Sequence, residues 1–374
     1  MTKAAELAKM GEVLTNSQIG GQRNIAYNGA MNIAQRGTSR TGVTNGANQG
    51  YQTVDRITTA GNSNGVFTMT QTADGPDGFA NCLKLDCTTA DTSIAASEYF
   101  LIEQKLEGQD LQQLNYNQSS AKTSTISFYV KGNASAQYTF ALQYHLSGGT
   151  ARWFTKGFAV TTDWTRVVIT IPGDSQASSG SDYGIADDNN TGANLMIWFH
   201  GGTNFSSGTH QDTAWADRDY TKLFQDNQTS FFDSTDRTFF LTGLQMELGS
   251  QATPFEHRSF GEELALCQRY YYVLGEGNGE RMGTGGYYSS SGMQFPVRHP
   301  VEMRAAPSAE VVSGTGYYST NGASSDAHNS ITIDGPTKRS TSFYNSSEAS
   351  GTSGDHAIFL TANASAKVAL LSEL

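Results

Sequence analysis

Trp153, Trp164, Trp198 and Trp215 are the only tryptophans, and all lie in the middle of the chain. An aromatic plane stacks on the C–H face of a sugar while Asn, Gln and Asp bind its hydroxyls, so rings interleaved with amides point to carbohydrate. Trp215 stands in a polar run with Asp212, Asp217 and Tyr220, and this pair of rings is the first candidate for a ligand or partner contact. Trp198 falls opposite the face carried by Leu195, Ile197 and Phe199, so one face of that strand presents aromatic surface. Trp153, which opens the run Trp153–Val160, completes this set of candidates, whereas Trp164, just ahead of Val167, Ile169 and Ile171, reads as core.

Asp182, Asp187 and Asp188 sit in a Gly/Asn-rich stretch rich in oxygen ligands, which suits a hard cation. A structural Ca²⁺ is the one cofactor suggested, with a solvated acidic loop as the alternative. Catalytic motifs are absent: there is no Gly-x-Ser-x-Gly elbow, His-Glu-x-x-His, Walker loop or Cys-x-x-Cys pair. The seven histidines are scattered at no ligand spacing, and no pair of carboxylates stands out for glycoside hydrolysis. The chain therefore reads as a non-enzyme.

Positioning such side chains is the task of short strands. Forty glycines and abundant Ser, Thr and Asn separate runs rich in Phe, Tyr, Val and Ile across 374 residues, the composition of an all-β protein. The net charge of −11 argues against nucleic acid, which needs basic patches, and against an anionic membrane surface. No apolar run is long enough to span a bilayer and the N-terminus has no signal-peptide pattern, so synthesis in a cytoplasm is expected. Cys82, Cys87 and Cys267 are too few for a disulfide framework and read as buried thiols.

Along the chain, residues 1–14 place Leu7, Met10 and Leu14 on one stripe of a short helix, an anchor or assembly contact. Asn28-Gly29 predicts a hairpin between residues 23 and 37, and residues 1–50 form an N-terminal segment with a long loop. Residues 51–255 predict a two-sheet antiparallel sandwich, from the alternation in Ile126–Val130, Tyr138–Tyr144, Val167–Ile171, Leu195–Phe199 and Leu244–Leu248. Ser259 and Glu262 form a capping box for a helix whose stripe is Phe260, Leu264, Cys267 and Tyr271, so residues 256–272 read as a capped connector. A smaller β domain fills residues 273–374, with Gly275–Gly279 expected as a turn.

The segment Leu241–Ser259, with Glu262-Glu263-Leu264 and Cys267-Gln268-Arg269-Tyr270-Tyr271, resembles tail-fibre-like virion proteins of bacteriophages, notably those of marine bacteria. Arg23-Asn24-Ile25, Asn28–Met31, Gln35-Arg36-Gly37, Phe295–Val297 and Met303–Pro307 are similar to the same group. Ile126–Val130, Trp164–Ile171 and Leu241–Leu248 resemble the jelly-roll carbohydrate-binding modules attached to such proteins. The resemblance implies a virion structural protein, trimeric, bound through its N-terminus to other virion proteins and through its jelly roll to a host surface glycan. A purely structural head or tail decoration is the alternative, and a polysaccharide depolymerase a third reading.

Overall fold

A computed structural model describes residues 3–4, 23–44, 50–148, 151–175, 184–210, 212, 214–225, 227–322 and 325–374. The anchor candidates Leu7, Met10 and Leu14, and Asp182, lie outside the described residues. Two compact units emerge, Met1–Phe260 with Leu374, and Gly261–Glu373.

The first unit is an all-β, antiparallel two-sheet sandwich of the jelly-roll type. Its strands are β1 (Ser39–Val43), β2 (Gly50–Tyr51), β3 (Thr58–Gly61), β4 (Val66–Thr72), β5 (Cys82–Thr89), β6 (Tyr99–Glu107) and β7 (Ser124–Gly132). They continue with β8 (Ala136–His145), β9 (Ala151–Val160), β10 (Thr165–Ile171), β11 (Thr191–Gly201), β12 (Ala216–Asp217) and β13 (Thr238–Leu248). One sheet runs β1-β4-β5-β13-β7-β10 and the other β12-β9-β8-β11-β6-β3-β2. The chain crosses repeatedly from one sheet to the other, as between β5 and β6, between β6 and β7, and between β10 and β11. This wrapping brings residues distant in sequence onto neighbouring strands.

Alternation decides what lies between the sheets. Ile126, Phe128 and Val130 of β7 face Tyr138, Phe140 and Leu142 of β8 and Leu195, Ile197 and Phe199 of β11 in one core. Phe199 is its hub, with ring centroids 4.7 Å from Phe239, 4.9 Å from Tyr138 and 5.5 Å from Phe100. Each such buried side chain contributes roughly 1.5–3 kcal/mol of transfer free energy. Cys82 and Cys87 are free and buried, and burial pushes each thiol up to about 11.

The expected hairpin across residues 23–37 does not form, and no strand occurs there. Residues 23–44 instead belong to the sandwich rather than to a separate N-terminal segment, with Ile25, Ala26, Met31 and Val43 in its core. Asn28 takes a positive φ of 51°, but its side chain donates to Ile33 O and Asp55 O and accepts from Ile33 N. Gly29 packs so closely that a Cβ would stand 2.1 Å from Leu244 O. Asn-Gly is therefore a buried clip, stabilised by side-chain bonds where a hairpin would use ladder bonds. Asn24 extends the clip, donating to Leu244 O and accepting from Met246 N.

The second unit opens with α1 (Phe260–Gln268), the helix expected as a connector, which begins directly after Ser259. Of the expected stripe, Cys267 and Tyr271 are buried, Leu264 is half-buried and Phe260 is 63% exposed; Glu262 is exposed. The stripe is thus narrower than its spacing implies, because the buried Glu263 takes part of that side of the helix. Next come β14 (Tyr271–Tyr287), β15 (Met293–Arg298), β16 (Ser308–Val312), β17 (Tyr318–Asn321), β18 (Ser325–His328), β19 (Thr332–Asp334), β20 (Ser340–Asn345) and β21 (His356–Leu371). They form one sheet ordered β18-β17-β21-β14-β15-β20-β19, with β16 also on β21. Gly275–Gly279 is not a turn. It lies inside β14, where Gly277 and Gly279 have positive φ and the register against β21 slips repeatedly, so the glycines serve β-bulges. Stacked Phe295, Phe343 and Phe359 centre this unit's core.

Candidate functional site: an aromatic cleft on the seven-stranded sheet

The residues that alternate with the core positions point to the other face of the seven-stranded sheet. On β6 these are Tyr99, Leu101 and Glu103; on β11, Asn194, Met196 and Trp198; on β8, Ala141 and Gln143. Register aligns them: Leu101 pairs with Trp198, Glu103 with Met196, Met196 with Ala141, and Asn194 with Gln143. The result is a row of rings and methyls beside a row of amides.

Beyond β11 the chain folds back over part of this face. Gly202 N donates to Glu98 O and Phe224 N to Phe205 O, and Leu223 and Phe224 cover Trp153, Trp198, Leu101, Ala141 and Met196 as a small second core. Gly201 permits this approach, since a Cβ there would lie 2.1 Å from the Phe224 ring. Asp219 fixes the returning turn: its carboxylate accepts from Thr221 N and Thr221 Oγ1 and pairs with Lys222 at 3.1 Å. The Thr221 hydroxyl and Lys222 hold that carboxyl below the usual range. Tyr220 follows directly and projects its ring, 42% exposed, over the sheet.

What the cover leaves open is a cleft of about 450 Å³. Its apolar wall is a run of rings, with Tyr99 5.7 Å from Trp198, Trp198 5.8 Å from Phe205 and Phe205 5.9 Å from Tyr220. Its polar floor is Glu103, Gln143 and Asn194, completed by Asn204 and Arg218 at the rim. Asn194 Nδ2 donates to Glu103 Oε2 at 2.7 Å, and His145 Nε2 lies 3.1 Å from both Asn194 Oδ1 and Gln143 Nε2. Lys105 stands 3.8 Å from Glu103 and offsets its charge. Burial, with Tyr220 and Glu103 nearby, pushes the Tyr99 phenol up, so it stays a hydroxyl donor. Trp198 Nε1 is buried without a hydrogen-bond partner among the described residues. A mixed aromatic and amide surface of this size accommodates an uncharged, hydroxyl-rich molecule.

The candidate contacts separate sharply. Tyr220 lines the cleft; Trp198 lines it too but is only 3% exposed, and Trp153, also buried, sits behind the Tyr220 ring at 5.3 Å. Trp215 is elsewhere. It packs, half-buried, against the main core beside Tyr116, Tyr144 and Phe154 and donates from Nε1 to Pro172 O at 2.6 Å, so it stands apart from the cleft residues. Trp164, expected in the core, is half-buried on the outer face of the six-stranded sheet. Asp188 spends its carboxylate on Asn190 N and Nδ2, Asp187 is exposed, and no metal-ligating cluster forms around them among the described residues. At the former joint, Tyr271 OH donates to Glu310 within the second unit. Tyr99, Glu103, Gln143, Asn194 and Phe205 were missed, although the alternation of β6 and β11 already sets the strand members opposite the core face.

No protein-family model matches this sequence, and neither does any curated protein. Among solved structures, the enzymatically active domain of tailspike protein 4 of bacteriophage CBA120 is similar with a TM-score of 0.31 and 9% identity. That match covers 61% of this chain and 22% of the tailspike chain. A family 30 carbohydrate-binding module gives 0.31 and 13% identity over 64% of this chain and 92% of its own. A family 11 module from Clostridium thermocellum, solved with a β-1,3-1,4-mixed-linked tetrasaccharide, gives 0.28 and 11% identity over 54% and 91%.

Proposed function

We propose that this protein is a non-catalytic glycan-binding protein that holds a polysaccharide chain in the cleft on the seven-stranded sheet. The observation that carries the reading is the ring wall Tyr99, Trp198, Phe205 and Tyr220 standing over the amide floor of Gln143 and Asn194. Rings take the C–H faces of successive sugars, and the amides bind hydroxyls whose orientation identifies the sugar. Glu103 is the one carboxylate among the described residues lining the cleft, whereas hydrolysis by the common route needs two, which favours binding over depolymerisation. The resemblance carried by Leu241–Ser259 and its companion segments extends the proposal to a homotrimeric virion appendage, made in a host cytoplasm, whose partners are other virion proteins and a host surface glycan.

Titration calorimetry of the full chain against a panel of soluble bacterial polysaccharides tests the first part. At least one polymer binds, and Tyr220→Ala weakens it about 10-fold, equivalent to about 1.4 kcal/mol. A protein that binds none of the panel and no host cell surface, or a Tyr220→Ala variant that binds like the parent, overturns the reading. Mass measurement in solution and location in virions test the trimeric appendage separately.

A further inference from the structure

A second cluster lies away from the cleft's polar floor, where the chain crosses from β5 to β6. Asp91 follows the end of β5, Glu98 precedes the start of β6, and His200 comes near the end of β11. One carboxylate oxygen of Asp91, one of Glu98 and a ring nitrogen of His200 all lie within 4.8 Å of one another. All three side chains are shielded from water, with Asp91 and Glu98 each 6% exposed and His200 0%.

Their bonding leaves this group incomplete. Asp91 Oδ2 accepts from Ser63 Oγ at 2.8 Å and from Asn64 N at 2.9 Å. Glu98 Oε1 accepts from Asn64 Nδ2, and Oε2 from Ala95 N, both at 2.7 Å. Among the described residues no lysine or arginine pairs with either one, so two carboxyl groups are buried side by side without a cationic partner. His200 Nδ1 is 2.7 Å from Ser230 Oγ, while Nε2 is buried with no hydrogen-bond partner among the described residues.

We propose that Asp91, Glu98 and His200 form a binding site for a divalent transition-metal ion. Two hard carboxylate oxygens and one borderline imidazole nitrogen match the ligand preferences of zinc or manganese, and the nitrogen argues against calcium. A dication neutralises the buried pair of carboxylates and gives Nε2 its missing partner. Ser230, Ser63 and Asn64 supply the outer hydrogen bonds that orient ligands in such sites. The ion fastens the exposed 92–97 loop to β11. That loop abuts one rim of the cleft, because Ala96 O accepts from Asn204 N and Glu98 O accepts from Gly202 N.

The test uses the full chain, stripped with EDTA, dialysed into chelator-free buffer and titrated with Zn²⁺ or Mn²⁺ while metal content and thermal unfolding are followed. One ion binds per chain, Tm rises on its addition and falls again with EDTA, and His200→Gln weakens binding at least 100-fold. Asp91→Asn with Glu98→Gln keeps the shape, removes the buried charge and abolishes binding, while the metal-free double variant retains a folded circular dichroism spectrum. Three results overturn the proposal: no stoichiometric ion on the parent protein, a Tm indifferent to both metal and EDTA, or Zn²⁺ and Mn²⁺ affinities that His200→Gln leaves intact. Should His200→Gln fail to fold, the parent's metal stoichiometry and reversible Tm shift decide alone.

Discussion

The outer faces of the two sheets carry similar aromatic side chains but only one of them leaves an opening beside its rings. On the six-stranded sheet, Phe240 pairs with Lys131 on one neighbour and Lys84 on the other, and both ammonium groups lie over its ring, at 4.8 and 5.5 Å. Lys131 also reaches the Trp164 ring at 5.3 Å, and Arg166 covers Tyr129 at 5.8 Å. Asp74 and Asp86 then hold the two lysines, each at 2.8 Å. The rings of that face are capped by cations. On the seven-stranded sheet Trp198 meets the rings of Tyr99, Phe205 and Phe224, Arg218 lies over the Tyr220 ring at 5.3 Å, and an opening remains beside them. Ring count alone does not make a binding surface; what lies over the rings decides.

The largest effect separates the faces of a single strand. Phe199 and Trp198 are adjacent on β11, yet Phe199 belongs to the core between the sheets and Trp198 to the cleft side. Phe199→Ala removes four ring neighbours at a fully buried site and costs about 3–5 kcal/mol, read by urea unfolding. Tyr220→Ala, the binding variant, changes stability by less than about 0.5 kcal/mol. If the two variants were equally destabilised, the division between a structural face and a binding face would collapse.

The next effect concerns the tryptophan packed against the main core away from the cleft. Trp215 lies in a polar stretch and reads as a surface ring, because local composition carries no record of which distant rings await it. Tyr116, Tyr144 and Phe154 form its socket and come from three other segments. Trp215→Ala therefore costs about 2–3 kcal/mol and leaves polysaccharide affinity unchanged. A loss of affinity with stability intact would return Trp215 to the binding surface. By contrast, the strands around Ile126, Tyr138, Leu195 and Leu244 were legible, since alternation is written into consecutive residues and fixes both strand and face. Asn28-Gly29 misled for the opposite reason: its turn chemistry is local, whereas Asp55 and Leu244, which turn it into a buried clip, are not. The cleft falls between these cases. Trp198 could be set on the outer face from sequence, but bringing it beside Tyr99 requires the β6–β11 pairing, and leaving the cleft open requires the returning chain to stop short. Asp91, Glu98 and His200 were illegible as a group, because they meet only once β5, β6 and β11 are assembled.

The smallest effect tests the capped face directly. Lys131→Met keeps the aliphatic stem over Phe240 and Trp164 but removes the ammonium and its bond to Asp74. An exposed cation–π contact contributes on the order of 0.5–1 kcal/mol and a partly exposed ion pair about 0.2–1 kcal/mol, so destabilisation stays at about 1–2 kcal/mol. Polysaccharide affinity should not change, because this face holds its rings for packing. The measurement is the calorimetric titration used for Tyr220→Ala, run beside it on the same polymer. A Lys131→Met variant that loses affinity while Tyr220→Ala keeps it would move the binding surface to the six-stranded sheet. Full retention in Lys131→Met and a 10-fold loss in Tyr220→Ala would tie recognition to the seven-stranded sheet, beside whose rings the chain leaves an opening.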